Sequence, residues 1–141
     1  MKPPDARILY AEDDADTREL VTLVLEMQNC QVIATGSHDE ALRLARAEQF
    51  DLYLLDNWIP GISGVRLCQL LREVDPQTPV LFYSGAAYER DKARALASGA
   101  QGYLVKPVDG DELAAEVLRL ISDSRQSGSQ IGTKSDARHD L

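Results

Sequence analysis

Five short runs of apolar residues recur at regular intervals along the chain, and most of them are continuous rather than alternating. A continuous apolar run is typical of a strand covered on both faces, as in a parallel sheet, whereas a strand with one face in water alternates. The pattern therefore predicts five buried strands, at Arg7–Ala11, Gln31–Thr35, Leu52–Leu55, Val80–Tyr83 and Gly102–Val105.

Apolar residues with helical spacing fill the segments between and after these runs. The segment from Tyr88 to Ser98 has Leu96 as its one large apolar residue, so we expect this helix to pack most weakly. The other four segments carry apolar stripes, formed by Leu20, Val21, Val24 and Leu25, by Ala41, Leu44 and Ala45, by Leu67, Cys68, Leu71 and Val74, and by Leu113, Val117, Leu120 and Ile121.

Strands and helices that alternate in this way predict an α/β fold, a five-stranded parallel sheet with right-handed crossovers and helices on both faces. The flavodoxin-like strand order 2-1-3-4-5 is the natural candidate, and in it the first and third strands are neighbours where the topology reverses. Ligands of such folds bind there, outside the carboxyl ends of the strands. Ser37 and Ser63 are suited to cap the second and third helices, and Gly99 to end the fourth.

The chain has 141 residues, which predicts one domain with a short extension. We place the domain at residues 5–122. Residues 123–141 contain too few apolar side chains to order themselves, so we expect a flexible polar tail or a truncated linker. No output domain follows residue 122, which favours a single-domain protein or a piece of a longer one.

The net charge of −8 narrows the class of partner, because such a surface repels nucleic acid and anionic lipid. We therefore expect neither as a direct partner. Cys30 and Cys68 have no metal-site spacing and are expected to be small buried side chains in a reducing compartment. Without a signal peptide or a run of membrane-spanning length, the sequence predicts a cytoplasmic protein.

Acidic residues follow two strands that the predicted order makes neighbours. Glu12, Asp13 and Asp14 come after the first strand, and Asp56 comes after the third. Each alone is explained by helix capping or by a turn, since acids favour helix N-termini. Together they form a crowded acidic cluster, and a hard divalent cation relieves the repulsion within it. Mg²⁺ prefers carboxylate oxygens and water, so the sequence predicts a magnesium site here.

The two remaining strand ends carry a hydroxyl and an amine, at Ser84 and at Lys106. With these, the chain resembles the receiver domain of two-component response regulators, of the single-domain kind that chemotaxis regulators exemplify. The resemblance covers about residues 5–122 and rests on four segments in order, ILYAEDD (8–14), DLYLLDNWIPGISG (51–64), PVLFYSG (79–85) and YLVKP (103–107).

The resemblance implies a role for each of these residues. Asp56 is the phospho-acceptor, Lys106 pairs with a phosphoryl oxygen before a cis Pro107, and Ser84 hydrogen-bonds the phosphoryl group. For Mg²⁺, Asp13 is a direct ligand and Glu12 acts through water. Asp56 and the backbone carbonyl of Trp58 complete the set of metal ligands. Ser84 and Tyr103 form the switch, in which the tyrosine changes rotamer on activation.

The resemblance also implies the partners. A sensor histidine kinase or a histidine phosphotransfer protein supplies the phosphoryl group, and a downstream protein target reads the surface around the fourth helix, fifth strand and fifth helix. Such a protein is not an enzyme, apart from its own phosphoryl transfer and dephosphorylation. Gly102 and Glu116 stand where DNA-binding regulators tend to carry Asp and Arg, which weakens the case for their mode of dimerisation.

The sequence leaves several alternatives open. Trp58 either shields the acyl phosphate from water or is a solvent-exposed loop residue. An aspartyl-phosphate phosphatase typically has a second Asp two residues after its nucleophile, where this chain has Trp58. A flavin-binding protein needs a phosphate loop after the first strand, where this chain is acidic. A receiver-like interaction scaffold that is never phosphorylated also stays open.

Overall fold

Seven strands occur in the computed structural model, which describes the backbone of residues 3–139 and the side chains of residues 3–127. Five of them pair in parallel in the order β2-β1-β3-β6-β7, which confirms the predicted order, because two short strands that the sequence did not reveal intervene in the numbering. The strands are β1 (Ala6–Ala11), β2 (Cys30–Thr35), β3 (Leu52–Leu55), β4 (Trp58–Ile59), β5 (Ile62–Ser63), β6 (Val80–Ser84) and β7 (Gly102–Val105).

Five helices connect and follow the strands, as the alternation predicted. They are α1 (Ala15–Glu26), α2 (His38–Ala47), α3 (Gly64–Val74), α4 (Glu89–Ala97) and α5 (Gly110–His139). The last helix continues past residue 122, where the sequence predicts that the ordered domain ends. The division between domain and tail stays a prediction, and the part of the predicted tail at residues 140 and 141 lies outside the described residues.

Two apolar layers cover the sheet, one on each face, which agrees with the prediction of continuously apolar strands. Successive strand residues point to opposite faces. Leu9 and Leu55 therefore pack in the layer with α2, α3 and α4, while Ile8 and Leu54 pack in the layer with α1 and α5. Because these strands are parallel, their carboxyl ends lie at one edge of the sheet, and the polar residues that follow them meet there.

Local capping explains where the helices begin and end. The hydroxyl oxygen of Ser37 accepts a hydrogen bond from the Glu40 N–H, and that of Ser63 accepts one from the Arg66 N–H, so both predicted caps are confirmed. Gly99 follows α4 with φ +114°, a left-handed conformation that glycine adopts without strain.

The apolar stripe of α1 differs from the prediction. Val21 and Leu25 are buried as expected, but Leu20 is 62% exposed. Because α1 contacts β2 and α5, only its inner face is covered, and Leu20 points away from both. With Leu23 and Met27, Leu20 forms an exposed apolar stripe on the outer face of α1.

Helix α4 is packed as weakly as the sequence predicts. Ala95 is its one buried residue among the described side chains, and Leu96 is half exposed. Cys30 and Cys68 are buried free thiols, also as expected. Over the described residues, none of the helices combines the length and the apolar character that crossing a bilayer requires.

Candidate functional site

The carboxyl ends of β1 and β3 bring two acidic residues side by side. The Glu12 N–H donates to the Thr35 carbonyl at 2.9 Å, and the Asp56 N–H donates to the Ala11 carbonyl at 3.3 Å. These bonds continue the parallel ladder one residue beyond the strands, so both side chains emerge at the same rim. Carboxylate oxygens of Glu12, Asp13 and Asp56 lie within 4.8 Å of one another, which forms the cluster that the sequence predicted.

A single ammonium group joins two of these acids. The Lys106 Nζ atom donates to Glu12 Oε1 at 2.5 Å and to Asp56 Oδ2 at 3.0 Å. Lys106 follows β7 directly, and its backbone N–H donates to the Ser84 carbonyl at 2.8 Å. The peptide bond to Pro107 is cis, as predicted. Four residues from three strand ends therefore meet through their side chains at the rim.

Glu12 is almost completely buried, and its surroundings have opposite effects on its pKa. Burial raises the pKa of Glu12, while hydrogen bonds from Lys106 and from the Asp14 N–H lower it, and burial dominates. For Lys106, burial lowers the pKa, but the bonds to Glu12 and Asp56 outweigh it and leave it raised. Negative charge at this rim is therefore costly and depends on a positive partner.

Asp14 belongs to the helix rather than to the cluster. Its Oδ2 atom accepts from the Thr17 N–H at 2.9 Å and from the Thr17 hydroxyl at 2.5 Å, so it caps α1. These bonds lower the pKa of Asp14. Helix capping, the simple alternative for the acidic run, is thus correct for this residue.

The three clustered acids fit a small divalent cation. The Asp13 side chain is exposed at the rim and open to solvent, whereas Glu12 already receives hydrogen bonds at both oxygens. Asp56 uses Oδ2 for Lys106 and accepts from the Trp58 N–H at Oδ1, at 3.3 Å. Oxygen donors around an open position are the set that Mg²⁺ prefers. Asp13 and Asp56 would bind it directly, and Glu12 through water.

Ser84 and Tyr103 lie beside the cluster and share one neighbour, Ala86. The fully buried Ser84 hydroxyl accepts from the Ala86 N–H at 3.2 Å, and the Tyr103 hydroxyl donates to the Ala86 carbonyl at 2.6 Å. The Tyr103 ring stacks on Phe82, with centroids 5.7 Å apart and planes 12° apart. The two predicted switch residues are therefore connected through the loop that leads into α4.

The Trp58 side chain, unlike those of Glu12, Asp56 and Lys106, points into solvent. Trp58 is 69% exposed, which favours the loop interpretation over shielding of Asp56. Its backbone is fixed by the β4–β5 hairpin, where Trp58 pairs with Ser63, and its N–H reaches Asp56. The role predicted for its carbonyl, as a metal ligand, stays a prediction.

Asn57 is a residue of the site that sequence reasoning missed. It is 7% exposed, and its Nδ2 atom donates to the Tyr103 hydroxyl at 2.8 Å. Burial raises the pKa of Tyr103, and hydrogen bonding with Ser84 and Asn57 lowers it, with burial dominant. The one signal in the sequence was an amide directly after the candidate acceptor, and it gives no hint of a contact across 46 positions.

Comparisons with known proteins agree with this site. The sequence model of the response regulator receiver domain matches residues 8–118. The cell cycle response regulator CtrA of Brucella ovis is 32% identical over 130 residues, which are 92% of this chain and 56% of that protein. The chain thus spans about half the length of the curated relatives it matches.

Solved structures show the same architecture. A Francisella response regulator receiver domain has a TM-score of 0.80 and 28% identity, covering 85% of this chain and 99% of that one. The receiver domain of a Pseudomonas aeruginosa sensor histidine kinase has a TM-score of 0.77 and 24% identity, covering 83% and 98%. That structure holds a magnesium ion in its active-site cleft.

Proposed function

Because the chain belongs to the response regulator receiver domain family, we propose that it is a phosphorylation-controlled switch whose Asp56 accepts a phosphoryl group from a histidine kinase or a histidine phosphotransfer protein. One observation carries the proposal. The Lys106 ammonium bridges Asp56 and Glu12 at a rim where three carboxylates converge, so nucleophile, counter-charge and metal ligands occupy one place.

Asp56 is suited to act as the nucleophile. In the transfer, a bond forms between an Asp56 carboxylate oxygen and phosphorus, and the bond from phosphorus to the donor's histidine nitrogen breaks. The Trp58 N–H and the Lys106 ammonium hold one Asp56 oxygen each and orient the carboxylate. Such transfers depend on positioning and on charge compensation. Mg²⁺, when bound, supplies positive charge to the phosphoryl oxygens, and Lys106 supplies it from the other side.

Phosphorylation changes the charge to which Ser84 and Lys106 respond. An acyl phosphate carries about one more negative charge than the carboxylate at neutral pH, by analogy with other phosphorylated side chains. Ser84 gains a strong acceptor, and its link through Ala86 passes the change to Tyr103 and to the loop before α4. The weakly packed α4, with β7 and α5, is the surface that we expect the downstream protein to read.

The energetics require more than one contact. Moving a population from 1:99 to 99:1 takes about 5.5 kcal/mol. A hydrogen bond to a charged group contributes about 1.5–3 kcal/mol, so Ser84 alone does not suffice. Lys106 and the metal ion must contribute, or the unphosphorylated protein already populates its active conformation.

The phospho-donor docks, in this proposal, on the exposed apolar stripe of α1. Leu20, Leu23 and Met27 are 62%, 56% and 75% exposed and lie on the helix that begins at the acidic rim. Adjacent exposed apolar side chains indicate an interaction surface.

The two buried free thiols support a cytoplasmic location, since oxidising compartments favour disulfides.

Tryptophan fluorescence tests the proposal. Trp58 is the one tryptophan and lies next but one to Asp56. Its emission should change on adding Mg²⁺ and again on adding beryllofluoride, a phosphoryl mimic. Asp56→Asn should abolish the second change, while Asp39→Asn, the same substitution at an exposed carboxylate, should leave it intact. A response to Mg²⁺ without any response to beryllofluoride would favour the unphosphorylated scaffold.

A further inference from the structure

The backbone of Asn57, the residue after the proposed acceptor, is fixed by its contact with the start of α3. The Gly64 N–H donates to the Asn57 carbonyl at 3.0 Å. A Cβ atom at Gly64 would lie 2.1 Å from the Asp56 carbonyl oxygen and 2.9 Å from the Asn57 Cα atom, so no other residue fits there. The start of α3 therefore presses on the Asp56–Asn57 peptide and fixes the point from which the Asn57 amide projects.

The amide meets a hydroxyl whose single proton is already used. The Tyr103 hydroxyl donates to the Ala86 carbonyl at 2.6 Å, so it can only accept from Asn57. The Nδ2 atom of Asn57, at 2.8 Å, supplies that donor. The order Asn57 to Tyr103 to Ala86 is thus fixed by hydrogen-bonding capacity, and neither residue can reverse its role without losing a bond.

These contacts form a chain that leads from the acceptor to Ser84. Asp56 is bonded covalently to Asn57, Asn57 donates to Tyr103, and Tyr103 donates to the Ala86 carbonyl. The Ala86 N–H then donates to the Ser84 hydroxyl, at 3.2 Å. Tyr103 therefore lies in this chain between Asn57, which donates to it, and the Ala86 backbone, which links it to Ser84.

We infer that Asn57 is a positioning residue for the switch, which holds the Tyr103 hydroxyl on the Ala86 carbonyl and so presets the loop at Ala86, whose N–H donates to the Ser84 hydroxyl at the end of β6. The contact stands on geometry alone, while its consequence for phosphoryl binding rests on the proposed function. The simpler interpretation, a buried amide that merely satisfies its own hydrogen bonds, predicts no effect on Tyr103-dependent binding.

A double-mutant cycle separates the two interpretations. The variants are Asn57→Leu, Tyr103→Phe and both together, with Gln69→Leu as the same change at an exposed amide on α3. The first readout is the NMR signal of the Tyr103 ring, in protein labelled at tyrosine and free of any phosphoryl mimic. The second is the Kd for beryllofluoride in the presence of Mg²⁺, measured by Trp58 fluorescence.

We expect Asn57→Leu to move the Tyr103 ring signal and to weaken beryllofluoride binding about three- to tenfold, the scale of one lost hydrogen bond. In the Tyr103→Phe background the same substitution should have no further effect, and Gln69→Leu should change neither readout. An equal loss of affinity in both backgrounds, or an unmoved Tyr103 signal, would overturn the inference.

Two controls keep the outcome decisive. If Asn57→Leu fails to fold, the side-chain amide signal of Asn57 in the Tyr103→Phe variant still reports the contact, and an unchanged amide signal refutes it. If no variant and not even the unmodified protein binds beryllofluoride, the proposed function fails, while the ring and amide signals still decide whether Asn57 positions Tyr103.

Discussion

Each end of the sheet has a partly or fully buried carboxyl group, and the two ends shift the pKa of that group in opposite directions. At the carboxyl end, burial raises the pKa of Glu12, and one ammonium group is shared between Glu12 and Asp56. At the amino end, burial also raises the pKa of Asp75, but hydrogen bonds from Thr78, Gln77 and Tyr53 outweigh it and leave the pKa lowered.

The difference separates stability from function. Asp75 is satisfied by the chain itself, with Gln77 and Thr78 N–H groups on one oxygen and the Tyr53 and Thr78 hydroxyls on the other. The acids around Asp56 share one ammonium group. In the proposed function, a metal ion and the incoming phosphoryl group complete the site. The incompletely compensated charges therefore lie at the carboxyl end of the sheet, while the satisfied hydrogen bonds at the amino end stabilise the fold.

The largest effect should come from removing the satisfied carboxylate. Asp75→Ala deletes the acceptor of four hydrogen bonds, so we expect the free energy of unfolding to fall by about 3 kcal/mol. Chemical denaturation measures this. Mg²⁺ affinity should stay unchanged in the variant, and a parallel loss of metal binding would show that the two ends are not independent.

Metal binding should give the next largest effect, at the other end. Saturating Mg²⁺, at about 100 times its Kd, should stabilise the protein by about 2.7 kcal/mol, because only the folded chain assembles the three acids. Thermal unfolding with Mg²⁺ and with a chelator measures the difference. Asp13→Asn should remove most of it and Asp75→Asn should not.

The pH dependence of stability should run in opposite directions at the two ends. Asp75 has a lowered folded pKa, so its contribution is present above 3.8 and is lost as the pH falls through the folded value. Glu12 has a raised folded pKa, so the folded state binds more protons above 4.5 and stability falls as the pH rises toward the folded value. Each slope is at most about 1.4 kcal/mol per pH unit.

Comparing the unmodified protein with two variants separates the contribution of each carboxyl group to the pH dependence of stability. Unfolding of the metal-free protein across pH 3 to 8 (about the range in which carboxyl groups titrate) should be compared with Glu12→Gln and with Asp75→Asn. Each variant should lose one slope and keep the other. Slopes of the same sign at both ends would contradict the comparison.

The smallest effect should be a gain. Asp13 is the exposed member of the acidic cluster, so Asp13→Asn relieves repulsion without removing packing. We expect the metal-free protein to become more stable by about 1 kcal/mol or less, since exposed charges are screened by water. The same denaturation experiment measures it, and destabilisation would mean that Asp13 has a structural role.

The sequence predicted the framework of the fold and of the rim because both depend on local patterns. Apolar runs identify strands, and the strand order then places Asp56 beside Glu12. The β4–β5 hairpin escaped prediction because a pair of two-residue strands has no periodicity to detect. The exposure of Leu20 was missed for a different reason, since helical spacing does not tell how far the sheet extends beneath α1.

The contact of Asn57 could not be predicted from the sequence. Its partner Tyr103 lies 46 positions away, and their meeting depends on how closely α3 approaches the acceptor loop. Composition also says nothing about the length of α5, because it reports how much a segment can bury and not whether a helix that has already begun stops at residue 122.

The sparse burial of α4 has an evolutionary consequence. Of its described side chains only Ala95 is sealed inside, so most substitutions along this helix cost the fold little, surface changes being worth within about 0.5 kcal/mol. In the proposed function, where a downstream protein reads α4, substitutions on this helix can therefore change the target without destabilising the fold. The acidic rim lies on other elements, so the residues proposed for phosphoryl transfer stay the same while α4 varies.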